Sequence, residues 1–482
     1  MSILDQFTLI QGFDSSSASR TDIWEAKDNK TGAPFIFKAF VTQYHVTDRR
    51  EEKTTADVPL SADLLLHELN TYKALRTALI DNPLINCRNI LCIAGDGEFD
   101  AIDLKNFLLK NSTLSSRNIQ LNIYNNLLFL LRLSDSHDRK AIDTIVKNPR
   151  TIQLGDLQIP FGNVDMIRLD YPIRYHCMIT PKIDRQSLSD AIEEGKVINL
   201  SNLMRYLFVI AVTILMMSSV GVNQNDLHWG NILLSKSYYG PSPLHKRKYL
   251  LIFDDKVLLI DNPRIPILFD FDRAAIQNVR VPDLEADDMY SMGGNCPNFH
   301  RKRDFLKFLC CIWHYCNILQ KRDPAAQTVQ KEIMNTLVFS ESIRSAITSS
   351  HRACWLTSAE NQNISILCMS EALDKGMTSV LDIIRWVERK ANFISCTVNE
   401  LVAFPKQKAL SIGRTRVQTL IREFSEDLTA EQLSSPQLLE QVVRANIQFI
   451  NLRKKFNVSS ERKRFLNLLT TSVVKSIQGM RS

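Results

Sequence analysis

Apolar and polar positions divide the start of the chain into three short strand-like runs with turn-forming segments between them. The runs cover residues 7–13, 21–26 and 34–40, and turn-forming segments at 14–19 and 29–32 separate them. Residues 42–60 are polar and charged, which predicts a loop. Apolar positions then recur at helical spacing over residues 61–78, with Ser61 as the N-cap. The pattern therefore predicts three strands followed by one helix.

The rest of the chain changes from mixed segments to a helical pattern. We predict strands at residues 89–94 and 175–180, helices at 121–133, 187–194 and 203–220, and hairpin strands at 249–253, 256–260 and 265–269. From about residue 300 the pattern is helical, with helices expected at residues 415–424, 436–451 and 460–477. The prediction is an α+β protein with a β-rich start and a largely helical remainder, arranged as two lobes with a cleft between them.

Residues 206–225 carry no charge, and their length is close to the roughly 20 apolar residues that a membrane-spanning helix requires. Two interpretations fit this run. The first is a membrane span, and the second is a helix that is buried on all sides in a large core. The segment that follows decides between them.

Directly after this run, an Asp and an Asn lie five residues apart in Asp226-Leu-His-Trp-Gly-Asn231. In phosphoryl transfer, an Asp accepts the proton of the attacking hydroxyl group, and an Asn carbonyl oxygen binds a metal ion. A second acidic group, Asp270-Phe-Asp272, ends an apolar strand, and Mg²⁺ prefers one or two carboxylates together with phosphate oxygens. The sequence predicts a phosphotransfer site with Asp226 as the base and Asn231, Asp270 and Asp272 as metal ligands.

In this order, the two motifs resemble the catalytic loop and the metal-binding triplet of the protein-kinase superfamily, with Asp272 in place of the usual Gly. The loop is similar to that of haspin-type kinases and of serine/threonine kinases of large DNA viruses, such as iridovirus-like and poxvirus-like ones. The resemblance covers about residues 5–320, with gaps. It implies a bilobal fold in which the helix before the catalytic loop is buried at the centre of the larger lobe. We therefore expect no membrane span.

The resemblance also implies residues that hold ATP. Lys38 on the third strand would bind the phosphates, and Glu68 on the predicted helix would hold that Lys. Met178, Thr180 and Lys182 belong to the segment that would meet the adenine, with Met178 lining the back of the pocket and backbone groups of residues 179–182 pairing with the base.

The phosphate-covering loop departs from the family pattern. Only Gly12 remains of the usual glycines, and residues 14–19 are Ser-rich, so hydroxyl groups such as that of Ser16 would approach the phosphates. This departure is the main argument for a pseudokinase. The presence of the phosphate-binding Lys, its Glu partner and the three loop and triplet residues argues for activity.

Other departures surround the catalytic loop. Gln224 and Asn225 stand where the family has His and Arg, and that Arg normally meets a phosphate on the activation segment, so we expect activity without phosphorylation between residues 273 and 300. His228 replaces a Lys near the transferred phosphate, where it either donates a hydrogen bond or packs as a neutral side chain. Asp304 resembles the helix Asp that braces the backbone of the catalytic loop.

Composition narrows the class of protein. A hydrophobic content of 45% with 23% charged residues excludes an intrinsically disordered chain, and 15 Gly and 16 Pro exclude a collagen-like one. Ten Cys without a secretory signal at the start predict free thiols in a reducing compartment. The Cys and His residues between 296 and 316 lack the CxxC spacing of structural zinc sites, so buried thiols on an apolar helix are expected there rather than zinc.

The net charge of +7 is concentrated in one part of the chain. From residue 402 onward there are 14 Lys or Arg and 6 Asp or Glu, which makes this tail +8 and the rest nearly neutral. Compact basic clusters lie at residues 453–455 and 462–464. They are either solvated helix faces or the electrostatic footprint of a nucleic acid, an acidic partner or an anionic surface.

The sequence thus predicts a small lobe at residues 1–180 with an insertion at about 99–168, a helical lobe at 181–402, and a basic helical extension at 403–482. The expected function is that of a serine/threonine protein kinase that uses ATP and Mg²⁺ (or Mn²⁺) on a protein substrate. The alternatives are a small-molecule phosphotransferase on the same fold and a pseudokinase scaffold. An intracellular location in a host cell is expected, with packaging in a virus particle as an option.

Overall fold

The computed structural model places most of the chain. The described residues are 3–12, 22–48, 53–57, 62–82, 85, 87–100, 103, 107, 158–161, 164–168, 174–183, 186–193, 199–236, 244–278, 299–320, 323–348, 370–406, 412–450 and 459–481. They form two compact units. The first takes its described residues from 3–72 and 92–182, and the second from 73–91 and from 183 onward.

A six-stranded antiparallel sheet dominates the first unit. Its strands are β1 (Phe7–Gly12), β2 (Asp22–Asp28), β3 (Pro34–Asp48), β4 (Lys53–Asp57), β5 (Gly95–Asp100) and β8 (Arg174–Pro181). Their order is β1-β2-β3-β8-β5, and β4 pairs with the second half of β3. A separate hairpin joins β6 (Gln158–Phe161) to β7 (Val164–Arg168).

Two predictions for this unit are wrong. The loop expected at residues 42–60 contains a hairpin, because β3 continues to Asp48 and pairs with β4 in register. β-branched residues such as Thr54 and Thr55 favour strand conformation even in a polar run. The strand expected at residues 89–94 forms instead at Gly95–Asp100, where the chain pairs with β8. The helix predicted at residues 121–133 lies outside the described residues.

Helix α1 (Ala62–Leu75) confirms the helical spacing of its apolar positions. Leu65, Leu69, Tyr72 and Leu75 are all buried. Because side chains three and four residues apart lie on one face of a helix, this set forms a single apolar stripe. Three polar residues of the same helix, His67, Glu68 and Thr71, are buried as well.

The centre of the second unit is helix α3 (Leu200–Ser219), which follows the short helix α2 (Leu188–Glu193). The Asn199 side chain caps its N-terminus by accepting the N–H of Asn202 at 2.9 Å. Among the described residues, α3 is the one helix that is long and apolar enough to cross a membrane, and 78% of its most apolar window is buried inside the protein. This burial matches the core helix that was predicted, and it gives no clear evidence of a membrane span.

Small sheets flank α3. Strand β10 (Ile232–Ser235) pairs with β13 (Ile265–Leu268), and β9 (Val222–Asn223) pairs with β14 (Ala275–Ile276). The predicted hairpin of β11 (Tyr249–Phe253) and β12 (Lys256–Ile260) is confirmed. The helices that follow in chain order are α4 (Arg303–Leu319), α5 (Ala325–Glu332), α6 (Glu341–Thr348), α7 (Ser370–Gly376) and α8 (Val380–Ala391).

The basic tail is part of the second unit and shares a core with the β11–β12 hairpin. Two elements lead into the tail, β15 (Ser395–Thr397) and α9 (Val398–Ala403). The elements of the tail itself are α10 (Ile412–Ser425), α11 (Ala430–Ser434), α12 (Pro436–Ala445), β16 (Ile447–Ile450) and α13 (Ser459–Arg481). The helix predicted at residues 436–451 ends early, because residues 447–450 pair in parallel with β11. The extension predicted at 403–482 is therefore packed into the second unit, where Leu250, Val443 and Leu469 belong to one buried cluster.

Candidate functional site

In the first unit, Lys38 and Glu68 form an ion pair. Lys38 lies in the middle of β3, and its Nζ atom is 2.7 Å from Oε2 of Glu68 on α1. The Glu68 side chain is only 1% exposed, so the carboxylate is shielded from water and its attraction for the ammonium group is screened little. The Lys38 side chain remains 21% exposed, which leaves part of its ammonium group accessible to a ligand. The structure thus brings together the two residues that the sequence paired.

Strand β8 carries the residues expected near a nucleotide base. Met178 lies opposite Lys38 in the strand register and is buried, and Thr180 lies opposite Ile36. Residues opposite one another in antiparallel strands point to the same face of the sheet, as do residues two apart on one strand. Lys38, Met178 and Thr180 therefore share one face of this sheet.

The backbone groups predicted to pair with adenine are largely used inside the sheet. The carbonyl oxygen of Ile179 accepts the N–H of Ala94 at 2.8 Å, and the N–H of Lys182 donates to the carbonyl oxygen of Pro34 at 3.1 Å. Pro181 has no N–H. Pairing of residues 179–182 with a base through the backbone would have to break these bonds, which argues against that part of the prediction.

The phosphate loop is only partly described. Gly12 is the last residue of β1 and lies opposite Trp24. Ser16 lies outside the described residues, so its assignment as a phosphate-binding residue stays a prediction.

In the second unit, the predicted catalytic loop begins where β9 ends and is held by Asp304. This carboxylate lies in the first turn of α4 and is fully buried. It accepts the N–H of Gln224 at 2.8 Å, the N–H of Asn225 at 2.9 Å and the side-chain amide of Asn223 at 3.3 Å. Burial raises the pKa of Asp304, and the backbone N–H donors oppose that rise. The arrangement matches the brace that was predicted for Asp304.

Within the loop, Asp226 and Asn231 are joined directly. The Asn231 side-chain amide donates to the backbone carbonyl of Asp226 at 3.0 Å, and both residues are largely buried. Leu227 is fully buried between them and anchors the loop in the core. Because Nδ2 of Asn231 is used in this bond, Oδ1 is the side-chain atom that can bind a metal ion.

His228 lies beside Asp226 with a defined tautomer. Its Nδ1 atom accepts the N–H of Gly230 at 3.1 Å, so in the neutral ring the proton is on Nε2. That atom is 3.9 Å from Oδ2 of Asp226. Burial lowers the pKa of His228, which outweighs the opposite influence of the nearby Asp226 and Asp270 carboxylates. At neutral pH the ring is therefore an uncharged donor rather than a substitute for a cationic Lys.

Asp270 follows β13 and reaches the same loop. The N–H of Phe269 donates to the carbonyl oxygen of Asn231 at 3.2 Å, which places Asp270 one residue beyond the point where the two segments meet. Asp270 has a φ of +63°, a left-handed conformation that is uncommon outside Gly. Phe271 is fully buried, whereas Asp270 and Asp272 are half-buried. A buried Phe between two more accessible carboxylates keeps both of them toward the surface of the unit.

Sequence reasoning missed Lys307 and the hydrogen-bonding roles of Gln224 and Asn225, and all three residues shape this loop. Gln224 donates from its side chain to the carbonyl oxygen of Asp270 at 3.0 Å, and Asn225, with a φ of +66°, donates to that of Arg273 at 3.0 Å. Lys307 is fully buried, and its Nζ donates to the carbonyl oxygen of Asn225. The available signal for Lys307 was its position three residues after Asp304 in an otherwise apolar helix, because such spacing places two charges on one face.

The described residues contain no group of three or more His, Cys, Asp or Glu positioned to hold a metal ion. Cys310, Cys311 and Cys316 are buried on α4, and burial raises the pKa of Cys316 to about 12. Such thiols are protonated and inert at neutral pH. Cys296 lies outside the described residues.

The basic tail exposes part of its charge. Lys463 and Arg464 are exposed on the first turns of α13, and Arg444 is exposed on α12. Arg444 donates to Asn467 of α13 at 2.9 Å, so these three cations lie on neighbouring parts of one surface. The cluster at residues 453–455 lies outside the described residues.

No protein-family model matches the chain, and no match is found among curated proteins.

Proposed function

We propose that the protein is a serine/threonine protein kinase that transfers the γ-phosphoryl group of ATP, with Mg²⁺, to a hydroxyl group of a protein substrate. The observation that carries this proposal is the loop at residues 224–231. In it, the Asn231 side chain is hydrogen-bonded to the backbone of Asp226, and the buried Asp304 accepts the backbone N–H groups of Gln224 and Asn225. These bonds fix the backbone that carries the Asp226 carboxylate. A carboxylate on a fixed backbone is positioned to act on a proton, and phosphoryl transfer depends mainly on such positioning.

The proposal includes a kinase-like bilobal fold. It is supported by the six-stranded antiparallel sheet of the first unit and the largely helical second unit. Support also comes from the Lys38–Glu68 pair, which joins the sheet to α1 at 2.7 Å. In the proposed enzyme, Lys38 holds phosphate oxygens, and Glu68 keeps its side chain extended in one direction.

Asp226 is the proposed general base. Its Oδ2 atom accepts the proton of the substrate hydroxyl group as the oxygen attacks the γ-phosphorus. His228 presents its Nε2–H on the same side of the loop, so it can donate a hydrogen bond to a phosphoryl oxygen without adding charge. No covalent enzyme intermediate is needed, because the acceptor oxygen receives the phosphoryl group directly.

The residues present also fit a magnesium ion. Oδ1 of Asn231 and the carboxylate of Asp270 are hard oxygen donors on adjoining segments, and Asp272 is a further carboxylate two residues along. A bound ion would supply charge neutralisation for the phosphates. Asp270 is half-buried, so its carboxylate is partly accessible, and phosphate oxygens and water would supply the remaining ligands of the ion.

The test is phosphotransfer from labelled ATP by the wild type and by Asp226→Asn, with casein, histone and a panel of amino sugars as acceptors. The Asn side chain has the same shape but cannot take the proton, so we expect a fall in kcat of about 10²-fold or more. Asp255→Asn is the matched control, since Asp255 is exposed in the β11–β12 turn. Equal activity of Asp226→Asn and the wild type would refute the site. Labelling of an amino sugar alone would show a small-molecule phosphotransferase. No labelling, together with no thermal shift by ATP and Mg²⁺, would show a pseudokinase.

A further inference from the structure

A row of three polar side chains and one Ile, called the polar strip below, crosses the sheet of the first unit on the face that carries Lys38. Gln11, Glu25, Ile36 and Thr180 lie directly opposite one another on β1, β2, β3 and β8. Ile36 is two residues before Lys38, so the strip is on the same face and about 7 Å from the phosphate-binding Lys. A ligand that is held by Lys38 and extends along β3 toward Ile36 would reach this strip next.

Along β3, this is also the more open direction from Lys38. Two residues the other way, Phe40 is buried and stacks on His176 with ring centroids 5.7 Å apart. Ile36, in contrast, is half-buried. A nucleotide whose phosphates meet Lys38 would therefore extend its sugar and base toward Ile36, which is more exposed than the aromatic pair.

Glu25 is the centre of the strip. Its side chain is 4% exposed, and its Oε1 is ion-paired with Nζ of Lys182, while Oε2 accepts the side-chain amide of Gln11 at 2.7 Å. The Lys182 side chain is 32% exposed, so it is partly accessible on this face, whereas its carboxylate partner is buried. A buried acceptor and an accessible donor thus lie side by side.

The backbone next to this pair is unsuited to reading a base, because Ile179 and Lys182 use their backbone groups in the sheet and Pro181 lacks an N–H. Side chains must then do so. We propose that the Glu25–Lys182 pair is the contact that recognises the base, and that it accepts guanine as well as adenine. The inference rests on the proposed function, since it assumes that Lys38 binds nucleotide phosphates.

The chemistry of the two purines explains the expected tolerance. Adenine presents an amino donor beside a ring acceptor, and guanine presents a carbonyl acceptor beside a ring N–H donor. An adjacent carboxylate and ammonium group can satisfy either order. With each purine, the carboxylate accepts a hydrogen bond from the donor of the base, and the ammonium group donates one to its acceptor. Without the ammonium group, the buried Glu25 carboxylate still accepts the adenine amino group but faces the guanine carbonyl oxygen, and two acceptors repel.

The experiment measures the affinity of the full chain for ATP and for GTP by calorimetry, so no acceptor protein is required. The wild type is expected to bind the two with dissociation constants within about tenfold of each other. Lys182→Met should raise the ratio of the dissociation constant for GTP to that for ATP by about tenfold or more. Lys182→Arg should restore the ratio of the wild type. Lys30→Met is the matched control, because Lys30 is exposed in the turn between β2 and β3, and its ratio should equal that of the wild type.

Two results would overturn the inference while leaving the kinase proposal intact. One is ATP binding with exclusion of GTP by the wild type. The other is an equal rise in the dissociation constants of both nucleotides in Lys182→Met, which would mean that the Glu25–Lys182 pair only stabilises the sheet. A wild type that binds neither nucleotide would overturn the inference and the ATP-dependent activity together, whereas nucleotide binding with the expected ratios but no phosphotransfer would overturn only the activity.

Discussion

Replacing Asp304 by Asn tests the brace under the catalytic loop with the smallest possible change of shape. The carboxylate accepts two backbone N–H groups and one side-chain amide, each within 3.3 Å. The Asn side chain keeps one oxygen and puts an NH₂ group in place of the other. In the least costly orientation, that NH₂ group faces the N–H of Asn225, so two donors meet and one buried donor loses its partner.

The magnitude follows from these contacts. A buried donor without a partner costs about 1–3 kcal/mol, and the other two bonds weaken by about 1 kcal/mol together when the acceptor loses its charge. Burial raises the pKa of Asp304, so the neutral side chain recovers part of the desolvation cost. However, Lys307 is buried nearby and loses a favourable charge. We expect the free energy of unfolding to fall by about 2–3 kcal/mol and kcat to fall about tenfold or more.

The assay combines urea denaturation followed by circular dichroism with steady-state phosphotransfer. Asp323→Asn is the control, because Asp323 accepts the N–H of Ala325 at 2.9 Å at the start of α5 and Asn is an equally good residue there. Its unfolding free energy should stay within about 0.5 kcal/mol of the wild type. If Asp304→Asn matched this control in both stability and kcat, the brace would be refuted.

Three further predictions concern other parts of the molecule. Gly230→Ala should lower kcat about tenfold without unfolding the protein, because the added Cβ would lie 2.7 Å from the His228 ring and displace the ring. An unchanged kcat would contradict this prediction. Burial and the charge of Arg88 lower the pKa of His245 from 6.5 to about 3, so the unfolded state binds the proton first as the pH falls. The wild type should therefore lose about 1–2 kcal/mol of stability relative to His245→Gln between pH 6.5 and 3, after allowance for partial exposure, and parallel stability curves would contradict the assignment. Glu68→Gln should raise the dissociation constant for ATP about tenfold in calorimetry, since the phosphate-binding Lys loses its charged partner, and unaltered binding would remove Glu68 from the site.

Local patterns in the sequence were sufficient for much of the framework. The short strand-like runs at residues 7–13, 21–26 and 34–40 predicted three strands that the structure contains, and the uncharged run at 206–225 predicted the buried helix α3. These elements form where the spacing of apolar residues along the chain favours one conformation, and burial of those residues then stabilises it.

The tail shows where local patterns were insufficient. Residues 447–450 are a short apolar run that is compatible with a buried helix or a buried strand. They become a strand because β11 offers a parallel partner about 200 residues earlier in the chain. Periodicity carries no information about such a partner, so the predicted helix was extended too far.

The candidate site divides in the same way. The types and spacing of Asp226, Asn231 and Asp270 marked them in the sequence, because each residue's chemistry is a property of its own side chain. The roles of Gln224 and Lys307 were not predictable, since they arise from hydrogen bonds to the carbonyl oxygens of distant or neighbouring backbone segments.

What the sequence by itself determined is which residues are candidates for proton-transfer and phosphate-binding chemistry, and which stretches must be buried. Only the tertiary structure decided the strand register that sets Gln11, Glu25 and Thr180 in one row, and the pairing that brings Lys182 to that row. The physical reason is that a side chain's reactivity is local, whereas its neighbours across a sheet are chosen by hydrogen bonding and packing between segments far apart in the chain.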